Sequence, residues 1–164
     1  MKRKVKRKQL TEAGVPSVDI PTEVSWCHGA LGSSKRIVLR SEYGKNRTKA
    51  LASFVVYAVA TGKSAVYVTE SQVLDAYAAT FERDMSAWFR ILFAEVLVID
   101  GLDGNCMRRN LSTGIFLCLE ERLREDRYMV IGTKLQSTEL FDMYGDGVCC
   151  LLREYFEERE DFDK

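Results

Sequence analysis

The chain has 164 residues, 46% of them hydrophobic, and its 24 lysines and arginines balance 24 aspartates and glutamates. That length suits one domain with a real core. No apolar run reaches the ~18 residues of a membrane-spanning helix, and the basic N-terminus lacks a signal peptide's apolar segment, so a cytoplasmic protein without a membrane partner is expected.

The balance of charge conceals a polar layout. Lys2, Arg3, Lys4, Lys6, Arg7 and Lys8 crowd the N-terminus, whereas Glu154, Glu157, Glu158, Glu160, Asp161 and Asp163 make the end acidic. An arm this basic is a candidate for nucleic-acid phosphates, single-stranded DNA among them, through salt-sensitive contacts. The competing reading is a solvated tail, or one folded onto the acidic end. Residues 1–21 are therefore expected to be a loosely structured basic arm, and 22–164 an α/β domain with an acidic tail. Pro16 and Pro21, the only prolines, bracket an extended connector. Thr22–Cys27 alternates weakly as an edge strand would, and Gly29, Gly32, Ser33 and Ser34 make a turn.

Four short runs rich in β-branched residues follow: Arg36–Leu39, Ala65–Thr69, Glu95–Ile99 and Tyr128–Ile131. Their continuous apolar character predicts strands covered on both faces, and their alternation with helical stretches predicts a parallel α/β sheet. Thr48–Thr61 is apolar nearly all round, as a helix buried on a sheet should be, and Gly62 stops it. Ser71 is placed to cap a helix through Val73, Leu74, Tyr77 and Phe81. Ser86–Phe93 reads as a second short helix and Met107–Arg124 as an amphipathic one. Ser137 caps Glu139–Met143, which Gly145 ends, and a final helix is expected from Val148 to Arg159.

The five cysteines, Cys27, Cys106, Cys118, Cys149 and Cys150, show no C-x-x-C spacing and read as reduced, packed thiols. His28 is the single histidine, which excludes a histidine triad and a multi-histidine metal site.

Between the first strand and the first long helix lies Ser41-Glu42-Tyr43-Gly44-Lys45-Asn46-Arg47-Thr48. In a P-loop, glycines let the backbone curl around phosphates, a lysine spans the outer two, and a Ser or Thr hydroxyl binds Mg²⁺. Here Gly44 and the metal-binding Thr48 are kept. Ser41 replaces the first glycine, Asn46 the third, and Arg47 the lysine. Asn tolerates positive φ, but an arginine fork is not equivalent to a lysine ammonium. Glu42 and Tyr43 bring negative charge and bulk to the phosphate position. The run Glu95–Asp100 has the form of a Walker B strand, with Asp100 placed to hold Mg²⁺ through water. The acid expected next is replaced by Gly101, and Asp103 lies close by. The candidate nucleotide-binding residues are thus Gly44, Lys45, Asn46, Arg47, Thr48 and Asp100, with Thr48 and Asp100 the Mg²⁺ ligands if a nucleotide binds.

The order and spacing of these stretches, from about Ser33 to Phe156, resemble the AAA+ domain of bacterial and phage replicative helicase loaders of the DnaC type, and of related transposition ATPases. Thr48 to Gly62-Lys63-Ser64 resembles that family's first helix and its approach to the second strand. Val96–Gly101 is similar to its Walker B, and Met129–Leu135 to its sensor 1 strand. The resemblance implies a three-layer α/β/α P-loop fold with a mainly parallel sheet of four or five strands. It also implies a role in DNA replication, a replicative helicase or a helicase loader as partner, and oligomers through AAA+-type surfaces.

The departures are systematic. The sensor asparagine is absent near Lys134, and Gly147 or Leu151 stands where an arginine finger belongs. The acidic end lacks the pattern of the fifth core strand, which is expected to be missing. Each lost charge-positioning group typically costs ~10³-fold in rate. The reading is a loader-like protein of phage or mobile-element type, with no catalytic residues and no cofactor, acting through protein and DNA contacts. The alternatives are a weak ATPase using ATP and Mg²⁺, and a structural subunit that keeps the scaffold alone.

Overall fold

A computed structural model describes residues 5–16, 34–42, 44–104 and 112–160. Five parallel strands form one sheet: β1 (Arg36–Arg40), β2 (Ala65–Thr69), β3 (Val96–Asp100), β4 (Tyr128–Thr133) and β5 (Glu157–Glu160), in the order β2-β3-β4-β1-β5. The helices are α1 (Arg7–Glu12), α2 (Gly44–Ala60), α3 (Glu70–Phe81), α4 (Ser86–Phe93), α5 (Ser112–Arg124) and α6 (Ser137–Tyr155).

Strand alternation splits the core into two layers. Ile37, Leu39, Val96, Val98 and Val130 face α2, where Leu51, Phe54, Val55 and Ala58 meet them. Val38, Leu97, Ile99, Met129 and Ile131 face the other way, into the layer built by α3 to α6. Every residue of β3 from Val96 to Ile99 is fully buried, which is why these runs are continuously apolar. At about 1.5–3 kcal/mol for each large buried aliphatic side chain, this double-sided burial is the main force holding the sheet.

One buried cation ties the second layer together. Arg122 of α5 is fully enclosed and donates from Nη1 to the carbonyls of Ile91, Leu92 and Ala94 at 2.8–3.0 Å, and from Nη2 to that of Tyr128 at 2.7 Å. It thereby accepts the partial negative charge at the C-terminus of α4. Burial lowers its pKa to about 10.

Several expectations are corrected. The fifth strand is present: β5 pairs with β1 from Ile37↔Glu157 to Arg40↔Glu160. Its acidic side chains suit an edge, where charge deters pairing with other chains, and Arg40 Nε donates to Glu158 Oε1 at 2.6 Å. Accordingly the last helix ends at Tyr155 rather than Arg159. It is one element with the preceding short helix, broken where Gly145 takes φ 82°. Thr69, not Ser71, caps α3, accepting from the Gln72 amide while Gln72 reaches back to the Thr69 amide. Helix α2 begins at Gly44, a turn earlier than the apolar pattern starts. Within the basic arm, residues 7–12 form α1, which leads into Ala13, whose carbonyl accepts from the Tyr67 amide at 2.7 Å on the edge of β2. Thr22–Cys27, His28, Cys106 and the expected start of a helix at Met107 lie outside the described residues.

Candidate nucleotide site

Parallel strands bring the C-terminal ends of β1, β3 and β4 together, with Arg40 opposite Thr133 and Asp100 opposite Gly132. Helix α2 starts above this edge, and its first-turn amides have no partner inside the helix. Gly44, Lys45 and Asn46 form that first turn. The fold therefore places the candidate loop, Thr48 and Asp100 at one end of the sheet, where α/β proteins of this class bind ligands.

The side chain that occupies this place is Arg47. Only 8% exposed, it runs across Gly132 toward the end of β3. Its Nε donates to Asp100 Oδ1 at 3.1 Å, and its Nη2 to Asp103 Oδ2 at 2.9 Å. Both carboxylates are themselves largely buried, with side chains 11% and 6% exposed. Gly132 permits the arrangement, because a Cβ there would lie 3.0 Å from Arg47 Cδ and 2.6 Å from Leu51 Cδ1.

Further donors complete both carboxylates. Thr48 Oγ1 donates to Asp100 Oδ2 at 2.7 Å, and the Tyr67 hydroxyl donates to the same oxygen. Burial, then the neighbouring Asp100, pushes the Tyr67 phenol far above its ordinary pKa, so it serves as a neutral donor. Asp103 accepts from the Lys134 amide at 2.8 Å and the Thr133 hydroxyl at 3.2 Å, and Thr133 also donates to the Leu102 carbonyl at 2.7 Å. Gly101, at φ 84°, turns the chain so that Asp103 folds back under Arg47.

Three of the candidate residues, Arg47, Thr48 and Asp100, thus converge, while the backbone of Gly44, Lys45 and Asn46 sits just above them. Sequence reading passed over Tyr67, Thr133 and Gly132, and gave Asp103 no fixed place. A Mg²⁺–nucleotide does not fit this arrangement. The Arg47 guanidinium occupies the space between Asp100 and Asp103, where it bonds both carboxylates. The charge expected to face phosphate points into the sheet instead.

Of the basic arm, Lys6, Arg7 and Lys8 are exposed at the start of α1, at the β2 edge of the sheet. Lys2, Arg3 and Lys4 lie outside the described residues. In the described residues no His, Cys, Asp and Glu group is arranged to hold a metal ion, and no helix is long and apolar enough to cross a membrane.

Sheet order and the strand–loop–helix between β1 and α2 define a five-stranded parallel α/β fold of the P-loop type. Solved structures with this fold bear it out: "Crystal Structure of the DnaI" aligns with TM-score 0.68 at 14% identity over 95% of this chain and 94% of that one. The crystal structure of the DnaC helicase loader aligns with TM-score 0.65 at 15% identity over 93% and 98%. The replication initiator DnaA bound to AMPPCP and single-stranded DNA aligns with TM-score 0.66 at 12% identity over 84% of this chain. This chain spans 43% of that DnaA structure. No family model and no curated protein sequence matches the chain.

Proposed function

We propose that this chain is a helicase-loader-like protein of DNA replication that works through protein and DNA contacts without hydrolysing ATP. The supporting observation is Arg47 held between Asp100 and Asp103, which withdraws the one cation at the lysine position from phosphate. The fold adds weight, because DnaI and the DnaC helicase loader are similar over nearly the whole of both chains. A replicative helicase or a helicase loader is the partner this reading names, in the cytoplasm, with oligomers formed through AAA+-type surfaces. The exposed Lys6, Arg7 and Lys8, continuing into Lys2, Arg3 and Lys4, are the proposed contact to single-stranded DNA.

A pull-down with a hexameric replicative helicase and with a helicase loader tests the reading. Capture of either one supports it. Capture of neither favours a structural subunit that keeps only the scaffold. A second reading, a weak ATPase, rests on the adjacency of Thr48 and Asp100 at 2.7 Å, the pair expected to hold Mg²⁺. It requires Arg47 to leave both carboxylates when nucleotide arrives.

A further inference from the structure

Helix α4 is apolar on two opposite faces. By the helical repeat, Trp88, Ile91 and Leu92 fall on one side, where they are buried in the second core layer. Phe89 and Phe93 fall on the other, beside Ser86 and Arg90, and are 45% and 54% exposed. One turn apart, with ring centroids 5.3 Å from each other, they make a continuous aromatic ridge. A helix that is apolar all round is ordinarily covered on both sides. Roughly 200 Å² of aromatic surface is left open by the two rings together, which suits a weak, reversible contact rather than a permanent one.

The two ends of this outer face carry opposite charge. Glu82 and Asp84, with Arg83 between them, stand exposed before the first turn, where Asp84 Oδ1 accepts from the Ser86 amide at 3.1 Å and hydroxyl at 2.7 Å. At the other end, Arg127 Nη1 donates to the Phe93 carbonyl at 2.8 Å, and its guanidinium lies 5.8 Å from the centre of the Phe93 ring. Arg90 is held nearby by the Glu12 carbonyl. Glu95, which follows the helix, accepts from the Ser64 amide at 2.7 Å. A uniformly acidic or basic partner therefore meets like charge at one end of the ridge. The same face turned through a half-circle does not: ring meets ring, each acidic end meets a basic one, and the two helix dipoles run antiparallel. Such self-complementarity is what a two-fold interface requires.

We propose that the outer face of α4 is the contact between two copies of this chain, packed antiparallel about a two-fold axis. Phe89 packs on its mate next to the axis. Phe93 reaches the first turn of the other copy's α4, where Arg127 meets the mate's Glu82 and Asp84. The proposal is independent of the replication reading, since α4 lies across the sheet from α2 and needs no other protein.

Sedimentation velocity of the full-length chain over a wide concentration range tests it. A monomer–dimer equilibrium is expected, with a dissociation constant on the order of 10–100 μM at low salt that rises several-fold in high salt. Phe89→Ser combined with Phe93→Ser should weaken the dimer by about tenfold or more, whereas Phe141→Ser, which alters a comparably exposed ring on α6, should leave it unchanged. Glu82→Arg and Arg127→Glu should each weaken it about threefold, and the two together in one chain should restore it. Urea unfolding of each variant checks that it is folded. A monomer at every concentration overturns the proposal and assigns the ridge to another segment of the chain or to a different protein. A dimer indifferent to both phenylalanines overturns it as well, and so does a double charge reversal that binds no better than either single one. Growth into trimers or longer assemblies would also contradict it, because a two-fold contact closes on itself.

Discussion

The Arg47 guanidinium donates to Asp103 Oδ2 at 2.9 Å, linking the first turns of α2 to the segment after β3. Asp100 takes a second donor from the same fork at 3.1 Å. One cation therefore serves two buried carboxylates, and its removal leaves both uncompensated. Arg47→Met should destabilise the protein by about 3 kcal/mol, measured by urea unfolding. Arg47→Lys should recover only part of this, because an ammonium cannot reproduce the two-sided fork.

Gly132 holds the space through which Arg47 reaches Asp100. In Gly132→Ala the new Cβ meets Leu51 Cδ1 at 2.6 Å and Arg47 Cδ at 3.0 Å. A loss of about 1–3 kcal/mol is expected from overpacking. A double variant with Arg47→Met should lose less than the sum of the two, because the single changes disturb the same contact.

How far the sequence foretold this geometry differs from element to element. Strands β1 to β4 were legible because burial on both faces leaves a continuous apolar signature. The break at Gly145 was legible because glycine there has a conformational reason. Strand β5 was not: Glu157-Glu158-Arg159-Glu160 has no strand composition, and what holds it is pairing with β1 and the Arg40–Glu158 contact, 118 positions apart. Helix α1 was likewise hidden, since its anchor is a backbone bond from Tyr67 to Ala13 across the sheet edge. At the candidate site, spacing alone was enough to expect Thr48 and Asp100 near one another, and they lie 2.7 Å apart. The direction taken by Arg47 was not legible, because it depends on Gly132 and Asp103, which are distant in the chain.

The docked arm offers a separate test. Gly14 has φ +87°, and a Cβ there would stand 2.6 Å from the Tyr67 carbonyl oxygen. Gly14→Ala should release residues 5–16 from β2 while leaving the sheet intact. Amide exchange at Tyr67 should accelerate by tenfold or more, with little change at Leu97 in the sheet interior.

Arg122 makes the strongest stability prediction in the second layer. Arg122→Met removes four hydrogen bonds and strands the carbonyls of Ile91, Leu92, Ala94 and Tyr128. A cost of about 3 kcal/mol is expected in thermal or urea unfolding. Arg122→Lys should restore less than half of it, since an ammonium lacks the fork that reaches both strand and helix.

Acid sensitivity has an identifiable contributor in Asp126. Hydrogen bonds from Lys35 and then Arg36, with the charges of both, hold its pKa below the ordinary carboxylate value. A folded pKa below the unfolded one contributes stability that is present above about pH 4 and is lost as pH falls through the folded value. Unfolding midpoints should therefore decline below about pH 4, and Asp126→Asn should make that decline shallower. An unchanged slope in the variant would assign the acid sensitivity to other carboxylates.

The most direct measurement is a calorimetric and thermal-shift titration of the full-length chain with Mg²⁺–ATP. With Arg47 committed to Asp100 and Asp103, the expected result is no binding heat and no change in Tm at millimolar nucleotide. A rise of several degrees that Asp100→Ala abolishes would contradict the account and establish a working nucleotide site.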